Sequence, residues 1–204
     1  MSALAISDSV FLLQLVPPWL NTAGLSDVFL RAGFCQFFMY ASYVSCGASS
    51  WLVVTFTLER LVAVKYPLRR NAVCTVARAR LAATAIAVVA LAFNTPVLRF
   101  AVPRDGYCSV DRAYLLAARR FNVIDTMLSF TTPLLVIVIV NILIVVDICR
   151  ANNALHQIAG RVGSSPADDA RSQRRVTTML LKVSSVFVAC NLPAYTFRLL
   201  AYDV

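Results

Sequence analysis

The residues able to do chemistry in this chain are few, and most stand where charge is expensive. Asp8 and Asp125 lie inside long apolar runs, and Arg198 sits near the end of another. A carboxylate held in a bilayer costs at least a few kcal/mol unless it finds a partner or a cavity, so each must be paired, hydrated or used. Glu59 and Arg60 stand side by side in TFTLERLVAVKYPLRR, where an apolar stretch gives way to Lys65, Pro67, Arg69 and Arg70. One histidine, His156, is present, with no Ser-His-Asp set or metal-ligating cluster around it, so no catalytic residue is expected and the chain reads as no enzyme. Carboxylates in spans leave two chemistries open: a membrane transporter or proton relay using Asp8 and Asp125, or a sensor whose charges bias two conformations. The transporter reading has no internal repeat to support it.

The elements that must carry these residues are membrane spans. Hydrophobic residues make up 59% and charged residues 14% of 204, with mean hydropathy +0.73, against about 45–50% and about 25% in a soluble domain. Five stretches approach the roughly 17–25 apolar residues a spanning helix needs: about 1–20, 34–59, 81–102, 121–148 and 176–202. RVGSSPADDARSQRR at 161–175 is the one linker-like segment, and no second domain is expected. The net charge of +9 sits in clusters between apolar runs. Nucleic-acid binding, which needs a basic stripe on a soluble fold, is therefore not expected.

Orientation follows from where Lys and Arg collect. The turns around 60–80 and 149–182 hold Arg60, Lys65, Arg69, Arg70, Arg78, Arg80, Arg150, Arg161, Arg171, Arg174, Arg175 and Lys182. The opposite side holds Arg31, Arg99, Arg104, Arg112, Arg119, Arg120 and Arg198. The richer side is read as cytoplasmic. Cys35 and Cys108 then share the outer, oxidising side, and a bridge between them is expected; the alternative is six unpaired, buried cysteines.

Several motifs in order resemble the rhodopsin-like (class A) G-protein-coupled receptors: LAISD (4–8), Cys35 at the outer end of the next span, ERL (59–61) with Pro67 eight residues after Glu59, FTTP (130–133) and FVACNLP (187–193). The resemblance covers essentially the whole chain. It implies an all-α polytopic transmembrane bundle, a single seven-transmembrane-receptor domain of which helices two to six are visible, with helices one and seven beyond the chain. It departs from the family pattern at Leu61 for Tyr, Asn191 for the toggle Trp, Ala87 for the Trp of helix four and Asn141 for the Tyr of helix five.

The resemblance also implies roles. Glu59, Arg60, Leu61, Pro67, Pro133, Phe187 and Pro193 would form the activation switch and G-protein contact, with Glu59 restraining Arg60 and Phe187 packing near Pro133 and Ser50. The start of helix six, Gln173-Arg174-Arg175, offers Arg60 no acid. Asp8 and Ser49 would form a sodium pocket, an allosteric ion being the one cofactor implied. Ser42, Tyr43, Cys46, Asp125, Asn191, Tyr195 and Arg198 would line the ligand pocket. Ser42 stands where amine receptors carry Asp, which argues against an amine ligand. The nearest resemblance is to neuropeptide receptors of the invertebrate FMRFamide type. The implied function is transduction of an extracellular peptide to heterotrimeric G proteins at the plasma membrane, with the lipid bilayer as surroundings. A shortened receptor that does not signal is the further alternative.

Overall fold

A computed structural model describes residues 9, 13, 16, 20, 24, 31, 33–66, 74–104, 107–162, 182, 185–189, 191–192 and 195–196, with backbone alone at 107 and 151–162. Asp8, Pro67, Cys190, Pro193 and Arg198 lie outside the described residues, as do most of the expected spans 1–20 and 176–202.

Helix α1 (Phe34–Lys65) runs for 32 residues, about 48 Å at 1.5 Å per residue, which exceeds the roughly 30 Å hydrocarbon core. Gly33 precedes it at φ 90, a left-handed backbone that suits glycine, and its N–H donates to Gln36 Oε1 at 2.7 Å. The helix stops at Lys65 because Tyr66 precedes Pro67, and a residue before proline is pushed out of the helical region; Tyr66 has φ −130 and ψ 68.

Along α1 the hydroxyls turn back on their own helix: Ser50 Oγ donates to Cys46 O at 2.9 Å and Thr57 Oγ1 to Val53 O at 2.7 Å. This satisfies polar groups where no water competes. Small residues keep α1 slim enough to be the central column, against which the helices at Val76–Asn94 and Thr132–Val162 pack.

Helix α2 (Val76–Asn94) opens on Thr75, whose side chain accepts from the Arg78 N–H. It ends at Thr95-Pro96, where proline has no N–H to continue the ladder, and a short helix α3 (Val97–Phe100) follows. Strands β1 (Ala101–Arg104) and β2 (Tyr107–Val110) pair antiparallel, with Pro103 opposite Cys108. Asp111 caps a 3-10 turn, Arg112–Tyr114, that leads into α4 (Leu115–Thr126).

A five-residue π-helical turn, Met127–Thr131, joins α4 to α5 (Thr132–Val162). Pro133 explains it: the ring lacks an N–H and would collide with the carbonyl four residues back, and a widened turn relieves that collision. The expected kink is thus a π turn placed just ahead of the proline.

The expected spans 34–59, 81–102 and 121–148 all contain long helix, with different limits. α2 starts earlier and stops earlier than 81–102, whose end becomes α3 and part of the hairpin. The last span extends from Leu115 to Val162 through the π turn. Three described stretches, Phe34–Lys65, Val76–Phe100 and Arg112–Arg150, are long and apolar enough to cross a membrane. Their outward faces carry Leu81, Val88, Val89, Leu135, Ile139 and Ile142, all exposed, an apolar coat that suits acyl chains and not water.

Candidate functional site at the two ends of the central helix

At one end of α1, Cys35 is wholly buried and bonded to Cys108, with Cα atoms 5.6 Å apart and 73 residues between them in sequence. Closing a loop of that length contributes about 4 kcal/mol in the chain-entropy account. The bond straps the β1–β2 hairpin across the helix end. Beneath it the rings of Tyr43, Phe93, Phe100 and Phe121 meet at centroid distances of 5.3–6.2 Å.

One turn deeper, α1 faces α4 across a polar layer. Tyr43 Oη donates to Asn122 Oδ1 at 3.4 Å, Thr126 Oγ1 donates to Asn122 O at 2.8 Å, and Ser129 Oγ donates to Asp125 Oδ1 at 2.9 Å. Asp125 is fully buried. Gly47 makes the close approach possible: a Cβ there would stand 3.1 Å from Ser129 Oγ. Of the expected ligand-pocket residues, Tyr43 and Asp125 belong to this layer, and Ser42 and Cys46 are half-buried on the same stretch of α1. Asn122 and Ser129 are its members that sequence reasoning missed. Their spacing from Asp125, three before and four after, is one helical face and was the available signal.

Tyr195 and Asn191 sit elsewhere. Tyr195 is buried and stacks on Phe130 at 4.8 Å, and Phe187 stacks on the same ring at 6.2 Å. Val53, Val54 and Ile137 complete this core. The ring that meets Phe187 is therefore Phe130, three residues before the buried Pro133. Ser50, expected beside Phe187, is buried with its hydroxyl bonded to its own helix. Asn191 Nδ2 donates to Phe187 O at 2.8 Å, so this amide serves its own backbone at the position where the resemblance leads one to expect an indole.

At the other end of α1, Arg60 lies over the Phe56 ring, 4.8 Å from its centroid, a cation–π contact worth about 0.5–2 kcal/mol. Among the described residues no carboxylate pairs with it. Glu59 stands about 100° round the helix from Arg60. Leu61 packs with Val64 and Ile148 against buried Val140 and Ile144, which fixes the register of α1 on α5. Asp147, in the same stretch of α5, keeps Oδ2 buried without a hydrogen-bond partner. Ser49, the expected sodium partner of Asp8, is half-buried on α1.

A column of spanning helix with a disulfide-strapped hairpin at one end and an arginine stacked on Phe56 at the other is the architecture of a helical membrane receptor. The chain matches the 7 transmembrane receptor (rhodopsin family) over residues 1–203, and it belongs to that family. It is 30% identical to somatostatin receptor type 5 of Rattus norvegicus over 94% of this chain and 52% of that receptor. It is likewise 30% identical to somatostatin receptor type 3 of Homo sapiens, over 96% and 46%. Neuromedin-U receptor 1 of Rattus norvegicus is 29% identical over 97% and 52%. The chain therefore spans about half the length of these relatives. All three are receptors and none is an enzyme. The FMRFamide-type grouping rests on the sequence resemblance alone.

Proposed function

We propose that the protein is a plasma-membrane receptor that reads an extracellular peptide and passes the signal to heterotrimeric G proteins. The observation that carries this is the span of α1. Cys35 and Arg60 are 25 residues apart, about 37 Å along a helix, enough to bring the strapped hairpin and the arginine to opposite faces of a roughly 30 Å hydrocarbon core. Relatives named for the peptides somatostatin and neuromedin-U support a peptide ligand, and an FMRFamide-like neuropeptide is the finer reading.

In this reading the ligand enters beside the hairpin and reaches toward Ser42, Tyr43, Cys46 and Asp125, with Asn191, Tyr195 and Arg198 on the facing helix. Its differential affinity for two bundle arrangements supplies the bias. Phe187, Phe130 and the prolines 133 and 193 carry that bias inward; Glu59, Arg60, Leu61 and Pro67 present the G-protein surface. A sodium ion held by Asp8 and Ser49 would favour one arrangement, and agonist affinity that changes with sodium concentration tests it.

The test of the whole reading is a G-protein dissociation assay on the whole receptor with a peptide library containing somatostatin-, neuromedin-U- and FMRFamide-like members. At least one peptide should trigger dissociation, and Arg60→Ala should abolish it at equal surface expression. Undiminished dissociation in Arg60→Ala would remove the arginine from the mechanism, and silence across the library would remove the peptide.

A further inference from the structure

The hairpin end of the bundle carries a charge that membrane topology does not call for. Residues 99–120 hold Arg99, Arg104, Arg112, Arg119 and Arg120 against Asp105 and Asp111, although spanning proteins concentrate their cations on the cytoplasmic side. All five arginines are exposed. Asp111 is committed to the backbone, its Oδ1 accepting from the Ala113 N–H at 3.0 Å.

The fold sorts these arginines by direction. Cys108, bonded to Cys35, fixes which face of the hairpin looks onto α1. Pro103 pairs with Cys108 and shares that face, so Arg104, the next residue on β1, takes the opposite one. The Asp111 N–H donates to Phe100 O at 2.9 Å, which brings the backbone of Arg112 beside that of Arg99 at the base of the hairpin. On α4 the buried face holds Ala118, Asn122 and Asp125. Arg119 stands about 60° round that helix from Asn122, whereas Arg120 stands about 160° from both Asn122 and Ala118. Arg104, Arg112 and Arg119 therefore border the mouth, and Arg120 is turned away from it.

What lies beneath them is closed. The cavity under the hairpin, between Tyr43, Phe100, Val110 and Phe121, is about 10 Å³, room for about one water. A ligand side chain arriving at this point meets the rim and not the ring floor. Nor does α1 or α4 offer a cationic ligand an open carboxylate: Ser42 is the residue on α1, and Asp125 is fully buried and accepts from Ser129 Oγ. A guanidinium fork matches a carboxylate in both charge and geometry. We propose that the peptide ligand is acidic, and that Arg104, Arg112 and Arg119 receive an Asp or Glu side chain of it at the rim. This rests on the peptide reading above and adds to it the ligand's charge.

The experiment measures binding first and signalling second, on the whole receptor in phosphatidylcholine nanodiscs. The probes are fluorescent heptapeptide pools of matched apolar content that carry Glu, Gln or Lys at one shared position. The Glu pool should be retained at least about fivefold over the Gln pool, the order expected of a few exposed ion pairs together, and added salt should narrow the gap. The double variant Arg112→Glu with Arg119→Glu should turn the preference to the Lys pool, a gain that an unfolded receptor would not show. Arg120→Glu should change nothing. Equal retention of the Glu and Gln pools would overturn the proposal. So would an equal loss in Arg120→Glu, which would mean diffuse surface charge, or a heparin oligosaccharide that outcompetes every Glu peptide, which would mean a sulfated polysaccharide. A preference for Glu without G-protein dissociation by any pool would leave the acidic rim standing and remove the signalling reading instead.

Discussion

Gly47 and Ser129 form a contact whose cost can be read in both directions. A methyl group at position 47 would stand 3.1 Å from Ser129 Oγ but 3.9 Å from Ser129 Cβ, so the hydroxyl alone makes the clash. Gly47→Ala should therefore disturb the Ser129–Asp125 bond and lower thermal stability by about 1–2 kcal/mol, measured by unfolding of purified receptor in detergent. Combining it with Ser129→Ala should cost less than the sum of the single changes, as expected for residues in contact. Strict additivity would show that the two positions do not press on each other. At Asp147 the sign reverses. One buried carboxylate oxygen has no partner, and such a group costs about 1–3 kcal/mol or more when charged. Asp147→Asn keeps the shape and removes the charge, so the melting temperature should rise. A fall would mean that the carboxylate is engaged by a cation.

The π turn tests the middle scale. Met127–Thr131 exists because Pro133 cannot donate to the ladder and its ring needs room. Pro133→Ala restores the donor, and the turn should tighten toward an ordinary helix. The residues before it would then rotate relative to α5, pulling Ser129 from Gly47 and Phe130 from Tyr195 and Phe187. Agonist potency should fall at least about tenfold at unchanged surface expression, a shift of about 1.4 kcal/mol; unchanged potency would mean that the widened turn is incidental. Element boundaries were legible only where hydropathy and helix coincide. α1 starts where the apolar run at 34 starts, but α2 begins at Val76 through Arg78 and Arg80, since long cationic side chains snorkel and a helix need not wait for the bilayer. The hairpin went unread in the loop after the expected span 81–102, although Asp105-Gly106 between two short extended runs is a strong turn signal. The Cys35–Cys108 pair was legible because compartment restricts which cysteines can meet. Phe130 as partner of Phe187 was not, because distant rings leave no periodic trace in sequence.

For the whole molecule, every functional assignment depends on which end of α1 faces the cytoplasm. The charge distribution and the hairpin argue for the same answer independently: cations concentrate beyond Lys65 and Arg150, while the disulfide needs an oxidising side. Cys149 and Arg112 turn this into a measurement. Cys149 is a free, exposed thiol near the inner end of α5, and Arg112 is exposed at the hairpin end. A membrane-impermeant maleimide should leave Cys149 unlabelled in intact cells and react with it after permeabilisation. Arg112→Cys should add labelling in intact cells, because its side chain stands outside the bilayer beside the strapped hairpin. If Cys149 reacts in intact cells, the bundle is inverted, Arg60 faces outward, and a G protein cannot reach it. A thiol that reacts only after permeabilisation, together with an Arg112→Cys that reacts before it, puts the 37 Å between strap and arginine across the membrane. At that separation no side chain of one end touches the other, so in the proposed reading ligand and G protein are coupled through packing, to which the described residues contribute the contacts of α1 with the π turn and α5 and of Phe130 with Phe187 and Tyr195. That coupling is reciprocal in binding free energy: whatever the peptide proves to be, its affinity should rise when G protein is bound, and Arg60→Ala should remove the rise without removing the peptide's basal affinity.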